Sequence, residues 1–163
     1  MTDSKSNTSR KVQEHYSVNA YTYRNHYDPQ NLHTSPTYPA EYFRLEILLK
    51  RLQDIGARRV LDAGCGEGTP MLKVSNLGID VRGFDFTKEM VSEAKIIFEE
   101  NSLDPEWVKV GDVENYESFS SLIGDNLFDV AICFGVLPHV NDDLVALQNL
   151  KRSVRPGGRV FIE

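Results

Sequence analysis

The segment Asp62-Ala63-Gly64-Cys65-Gly66-Glu67-Gly68 sets three alternate glycines two residues after an aspartate. Glycines at that spacing let a backbone turn tightly and let a ligand approach with no Cβ in the way. Asp85 follows 21 residues after Gly64, where a carboxylate can accept both hydrogen bonds of a ribose diol. Dinucleotides share that diol, so the loop itself has to separate the candidates. A pyrophosphate favours G-x-G-x-x-G with no carboxylate beside it, whereas here the spacing is G-x-G-x-G and Asp62 stands next to the loop. An acid there repels an anion and attracts an ammonium group. S-adenosyl-L-methionine joins a ribose to an ammonium-bearing tail through a positive sulfonium, and its charge pattern matches. Either aspartate alone could equally be a helix cap or a solvated acid; together with the glycines they point to a nucleoside cation.

Chemistry at these positions needs strands that end there. Arg59 to Ala63 reads as a short buried strand, and Thr69 as the cap of a helix whose first residue is Pro70. Val81 to Asp85 is a second strand, followed by a helix from Thr87 to about Glu100 with Met90, Val91, Ala94, Ile97 and Phe98 inward. The alternation continues with strands at Trp107 to Val110, Phe128 to Phe134 and Arg159 to Ile162, separated by a short helix over Tyr116 to Ile123 and a longer one from Asn141 to about Val154. Strand and helix periods in turn predict an α/β, doubly wound, mostly parallel sheet. Ahead of it, Tyr42 to Ile55 carries Phe43, Leu45, Ile47, Leu48, Leu49, Leu52 and Ile55 at helical spacings, with Gly56 as C-cap.

Val60 to Gly68 resembles the first motif of the class I S-adenosylmethionine-dependent methyltransferases, and Gly83 to Met90 their second. The resemblance runs from about Val60 to Ile162, and it includes Leu150 to Gly158, similar to the proline-glycine-glycine turn of members that act on small molecules. It implies the Rossmann-like methyltransferase fold, with S-adenosyl-L-methionine as cofactor. By that resemblance Asp62, Gly64, Cys65 and Gly66 hold the cofactor's tail, Asp85 and Phe86 its ribose end, and Met90 packs near the adenine. Asp112 accepts from the exocyclic amine, Val113 offers its backbone N–H, and Phe134, at the end of the fourth strand, is a further cofactor-binding candidate.

Methyl transfer from a sulfonium is an in-line displacement, so the protein mainly aligns the acceptor and excludes water. A hydroxyl acceptor is helped by a general base, and His139, just past the fourth strand, is the sole histidine after residue 58. Its other reading is a turn residue bonded to backbone. Residues 12–43 hold most of the tyrosines with three histidines and three prolines, which suits an arm over the cofactor. Tyr23 and Arg44 are its candidate cofactor contacts, Arg44 for a carboxylate, although cover-helix packing and a surface guanidinium are the alternatives. Tyr27-Asp28-Pro29, Leu32-His33 and Arg44 are also similar to the arm of the ubiquinone-pathway O-methyltransferases.

Composition bounds the rest. The 163 residues carry 24 acidic against 18 basic side chains, a formal charge of −6. That balance argues against a nucleic-acid partner, and no apolar run approaches the ~20 residues of a membrane helix. Residues 59–163 carry 18 of the acids and 10 of the bases, so the acidity belongs to the nucleotide-binding part. Two cysteines form no disulfide framework and have no metal-binding spacing, and Met1 to Lys11 is polar, so the expectations are no metal and a cytoplasmic location. The expected division is a disordered tail over 1–11, an arm and lead-in helix over 12–58, and an α/β domain over 59–163 that lacks the last two strands of its kind. That ending leaves three expectations: a fragment of a longer enzyme, a catalytically silent cofactor-binding module, or a second copy or partner subunit covering the last strand edge. The leading reading is methylation of a small-molecule hydroxyl.

Overall fold

The computed structural model describes residues 11, 13–18, 20–32 and 40–163. The expected tail over 1–11 and His33 therefore lie outside the described residues, apart from Lys11. Five parallel strands, β1 (Arg59–Ala63), β2 (Asp80–Asp85), β3 (Val108–Val110), β4 (Phe128–Cys133) and β5 (Val154–Ile162), stand in the order β3-β2-β1-β4-β5. The order reverses between β1 and β4, which opens a crevice beyond their C-terminal ends.

Alternation along the strands explains the layers. Val60, Val81, Val108, Val130 and Ile132 face one side, where they meet α1 (Ala40–Asp54), α2 (Thr69–Ser75) and α3 (Lys88–Glu100). Leu61, Ala63, Phe84, Ala131 and Cys133 face the other, against α4 (Asp143–Ser153) and the turns that hold Phe119, Leu122 and Ile123. Helix α1 buries Leu45, Leu48 and Leu52 at i, i+3 and i+7, while Phe43 and Ile47 of the same predicted apolar set stay exposed. Gly56 ends it at φ 63°, its N–H donating to the Gln53 carbonyl at 3.0 Å.

Three local expectations change. Thr69 is not the cap of α2: Gly68 holds that place in the left-handed region, and the Thr69 N–H donates to Glu67 Oε2 at 2.6 Å. The helix expected over Tyr116 to Ile123 is two 3-10 turns, Tyr116–Ser118 and Ser120–Leu122, broken at Phe119, whose ring stacks on Phe84 with centroids 4.2 Å apart. Packing of that aromatic pair outweighs the regular helix. Strand β5 starts at Val154 rather than Arg159, because Phe128 pairs with Val154 and Val130 with Arg159, leaving the proline-glycine-glycine turn as a bulge between them. Upstream, residues 13–18 are helical and Ala20–Tyr27 and Pro29–Leu32 are 3-10 turns, an arm that crosses the strand ends. Among the described residues no helix is long and apolar enough to cross a membrane.

Candidate active site

A cavity of about 320 Å³ sits where β1, β2, β3 and β4 end, under the arm. The glycine loop forms its floor. Gly64 and Cys65 N–H groups both donate to the Phe84 carbonyl, at 2.8 and 3.0 Å, which ties the loop to the neighbouring strand. Gly64 lies at φ 82°, and a Cβ there would stand 2.2 Å from Val136 Cγ2. Packing against the β4 loop thus requires the glycine. Gly66 is different: nothing lies within 4 Å of its missing Cβ, so its backbone opens on the cavity. Only this second glycine fits the expected close approach of a ligand.

Asp85 turns back onto the loop. Its Oδ2 accepts from the Gly66 N–H at 3.0 Å and its Oδ1 from the Thr87 N–H at 2.8 Å. A carboxylate has about four acceptor positions, so with the loop amides holding the group and the Thr87 side chain beside it, acceptor capacity remains for a ribose hydroxyl. Burial raises the Asp85 carboxyl above its ordinary value, against the pull of those two amides and of the Thr87 side chain. Asp62 is 7% exposed beside it. Burial first, then the nearby Asp85 and Glu67, push its carboxyl up to about 7, with Arg44 pulling the other way. Buried acids crowded together are an arrangement short of a cation. Cys65 and Cys133 are buried free thiols. Burial pushes Cys65 well up and Cys133 to about 12, so neither is a nucleophile at neutral pH.

Past β3, Asp112 Oδ1 accepts from the Glu114 N–H at 2.8 Å, and the Asp112 N–H donates to Ser118 Oγ at 2.9 Å. Asp112 Oδ2 can still accept from an amine. Val113 and Met90 are buried, and Phe86 is half-exposed, all three on the same cavity wall. Glu114 reaches the opposite loop: its carboxylate accepts from the Asn141 N–H at 2.9 Å, Asn141 Nδ2 at 3.1 Å and the Asp142 N–H at 2.9 Å. That clamp fixes the turn carrying His139, the last residue of Leu137–His139.

The arm and α1 supply the upper wall. Arg44 lies over the Phe134 ring at 5.4 Å, pairs with Glu163, and meets the Tyr27 hydroxyl. Burial and the Glu67 charge push the Tyr27 hydroxyl far up, keeping it a neutral donor. Burial, Tyr16 and Glu41 push Tyr23 to about 12. Tyr16, on the helical stretch 13–18, sets its hydroxyl 3.3 Å from His139 Nε2.

The fold brings every residue singled out from the sequence to this cavity: the loop residues Asp62, Gly64, Cys65 and Gly66; Asp85, Phe86 and Met90 after β2; Asp112 and Val113 after β3; Phe134 and His139 after β4; and Tyr23 and Arg44 above. It also brings Tyr16, Glu41, Glu67, Glu114 and Val136, which sequence reasoning did not single out. Tyr16 and Glu114 act through partners more than twenty residues away, which no local pattern encodes.

Known proteins share this fold. The family described as methyltransferase domain matches residues 61–162. The chain belongs to that methyltransferase-domain family. Among curated relatives of this methyltransferase-domain chain, the ubiquinone biosynthesis O-methyltransferase of Aliivibrio fischeri strain MJ11 is 29% identical over 126 residues, 77% of the chain and 52% of the relative. The protein of the same name from Xanthomonas oryzae pv. oryzae is 30% identical over 127 residues, covering 78% and 51%. The methyltransferase-domain chain thus spans about half the length of the curated relatives it matches. Among solved structures, a SAM-dependent methyltransferase from Geobacter sulfurreducens in complex with S-adenosyl-L-homocysteine superposes at TM-score 0.56 with 28% identity, over 74% of this chain and 47% of that one. The fold is shared more widely, with magnesium protoporphyrin IX methyltransferase from Synechocystis PCC 6803 at TM-score 0.68 and 18% identity, over 90% and 72%.

Proposed function

We propose that this chain binds S-adenosyl-L-methionine and methylates a hydroxyl oxygen of a small molecule. The observation that carries the reading is the set of three aspartates, Asp62, Asp85 and Asp112, at or just past the ends of three neighbouring strands around one cavity, with an open glycine between the first two. Their free acceptor positions fit an ammonium, a ribose diol and an exocyclic amine in that order, and Arg44 is the cation beside them for a carboxylate. Names of relatives support the acceptor: two are ubiquinone biosynthesis O-methyltransferases. Two buried free thiols suit a reducing, cytoplasmic location.

Bound there, S-adenosyl-L-methionine supplies an electrophilic methyl carbon on a sulfonium sulfur. The chain's own residues do the remainder. Asp85, held by the Gly66 and Thr87 amides, orients the sugar end without moving. Asp62 supplies a negative charge to the tail, and the arm tyrosines exclude water above it. His139, on a turn clamped by Glu114, takes the acceptor's proton.

Transfer of isotope-labelled methyl groups to catechol, 4-hydroxybenzoate and benzylamine, an amine without a hydroxyl, tests the reading. Label on the hydroxyl compounds is expected, and His139→Ala should lower turnover by ~10²-fold with cofactor affinity unchanged. Label on benzylamine alone would contradict it.

A further inference from the structure

Resting on the hydroxyl-acceptor reading above, we propose that Tyr16 is a catalytic residue, a proton relay between the acceptor hydroxyl and His139. Tyr16 Oη stands 3.3 Å from His139 Nε2 across the mouth of the cavity, with the two rings edge to face at 5.8 Å. Its ring also meets Tyr23 at 5.7 Å. Both phenols and the imidazole line the cavity.

A phenol oxygen has one proton to donate and two lone pairs to accept with. With the Tyr16 O–H donating to Nε2, the lone pairs of Tyr16 remain, and one of them is the place for the acceptor's O–H. As the new carbon–oxygen bond forms, the acceptor's proton passes to the Tyr16 oxygen and the proton of Tyr16 passes to Nε2. The electron pair of the broken carbon–sulfur bond stays on sulfur. Tyr16 ends neutral, His139 ends as imidazolium, and the positive charge has moved from sulfur to imidazole. The arm is held for this exchange by Ser17, whose hydroxyl donates to Glu89 Oε2 at 2.8 Å in the first turn of α3. On the opposite side Glu114 holds the chain just past His139, at the Asn141 and Asp142 N–H groups. The relay therefore spans two elements that are far apart in sequence, and it is complete when the arm is docked.

Tyr16→Phe keeps both ring contacts and removes the relay hydroxyl. With catechol as acceptor, kcat is expected to fall ~10²-fold with the KM for S-adenosyl-L-methionine unchanged. Tyr16→Phe in a His139→Ala background should lower kcat by no more than about twofold further, since the two residues form one path. Separately, the imidazole ¹⁵N resonances of His139 in the S-adenosyl-L-homocysteine complex should show a proton on Nδ1 and a bonded, unprotonated Nε2, with Nε2 shifting in Tyr16→Phe. Wild-type kcat in Tyr16→Phe, or losses that multiply in the double variant, would overturn the relay and leave the methyltransferase reading standing. Transfer to benzylamine alone would overturn the hydroxyl reading and the relay with it. If no acceptor is methylated, the spectrum decides: an Nε2 resonance unmoved by Tyr16→Phe overturns the proposal.

Discussion

Asp62→Asn is the substitution in which stability and function should move in opposite directions. The Asp62 carboxyl rises from its ordinary 3.8 to about 7 because it is buried among Asp85 and Glu67. Between those values the folded chain holds a proton that the unfolded chain has released. The contribution to stability is therefore complete below about pH 3.8 and is lost as pH climbs toward 7. Lifting the carboxyl that far corresponds to about 4 kcal/mol. An asparagine has the same shape and no charge, so Asp62→Asn should be more stable than wild type by a few kcal/mol at pH 8, with the difference shrinking toward pH 5. Urea denaturation of both proteins at the two pH values measures it. Binding should respond the other way: without the carboxylate, affinity for S-adenosyl-L-methionine should fall by ~10-fold to 10²-fold, the cost of one charged hydrogen bond. Wild-type binding near pH 7 should also release protons, because an arriving ammonium favours the ionised acid. Equal pH dependence of stability in the two proteins, or an Asp62→Asn variant less stable at pH 8, would refute the electrostatic reasoning.

Gly64→Ala should lose about 2–4 kcal/mol in the same denaturation assay, since an L residue is strained at φ 82° and the new Cβ meets Val136 Cγ2. Val136→Ala in that background should recover part of the loss, and a variant as stable as wild type would exclude the clash. Asp85→Asn should weaken S-adenosyl-L-homocysteine by at least ~10-fold in calorimetry, because an amide cannot accept from two loop N–H groups and a diol. Glu114→Gln should speed amide hydrogen exchange over residues 137–142 and lower turnover, since one oxygen cannot hold both the Asn141 and Asp142 N–H groups; unchanged exchange would count against the clamp.

What the sequence made legible here is what strands and glycines encode locally. Asp62, Asp85 and Asp112 could be placed because each sits where an apolar run stops, and strand ends in a doubly wound sheet face one crevice. The reason for Gly64 was not legible: its Cβ is excluded by Val136, on the loop after the neighbouring parallel strand β4, far away in sequence. Nor could the apolar face of α1 be told from its pattern, because Phe43 and Ile47 share the spacing of buried neighbours yet remain exposed. The segment after β3 read as a helix, but stacking of Phe119 on Phe84 breaks it into two turns. Tyr16 and Glu114 had no local signature, since each acquires its place from a partner on another element.

Calorimetric titration of the chain with S-adenosyl-L-methionine and with NAD tests the charge argument most directly. Acids at the strand ends should give saturable binding of the sulfonium nucleoside, with no heat from the pyrophosphate. Saturable binding of NAD at the 62–68 loop, with S-adenosyl-L-methionine failing to bind, would contradict the account.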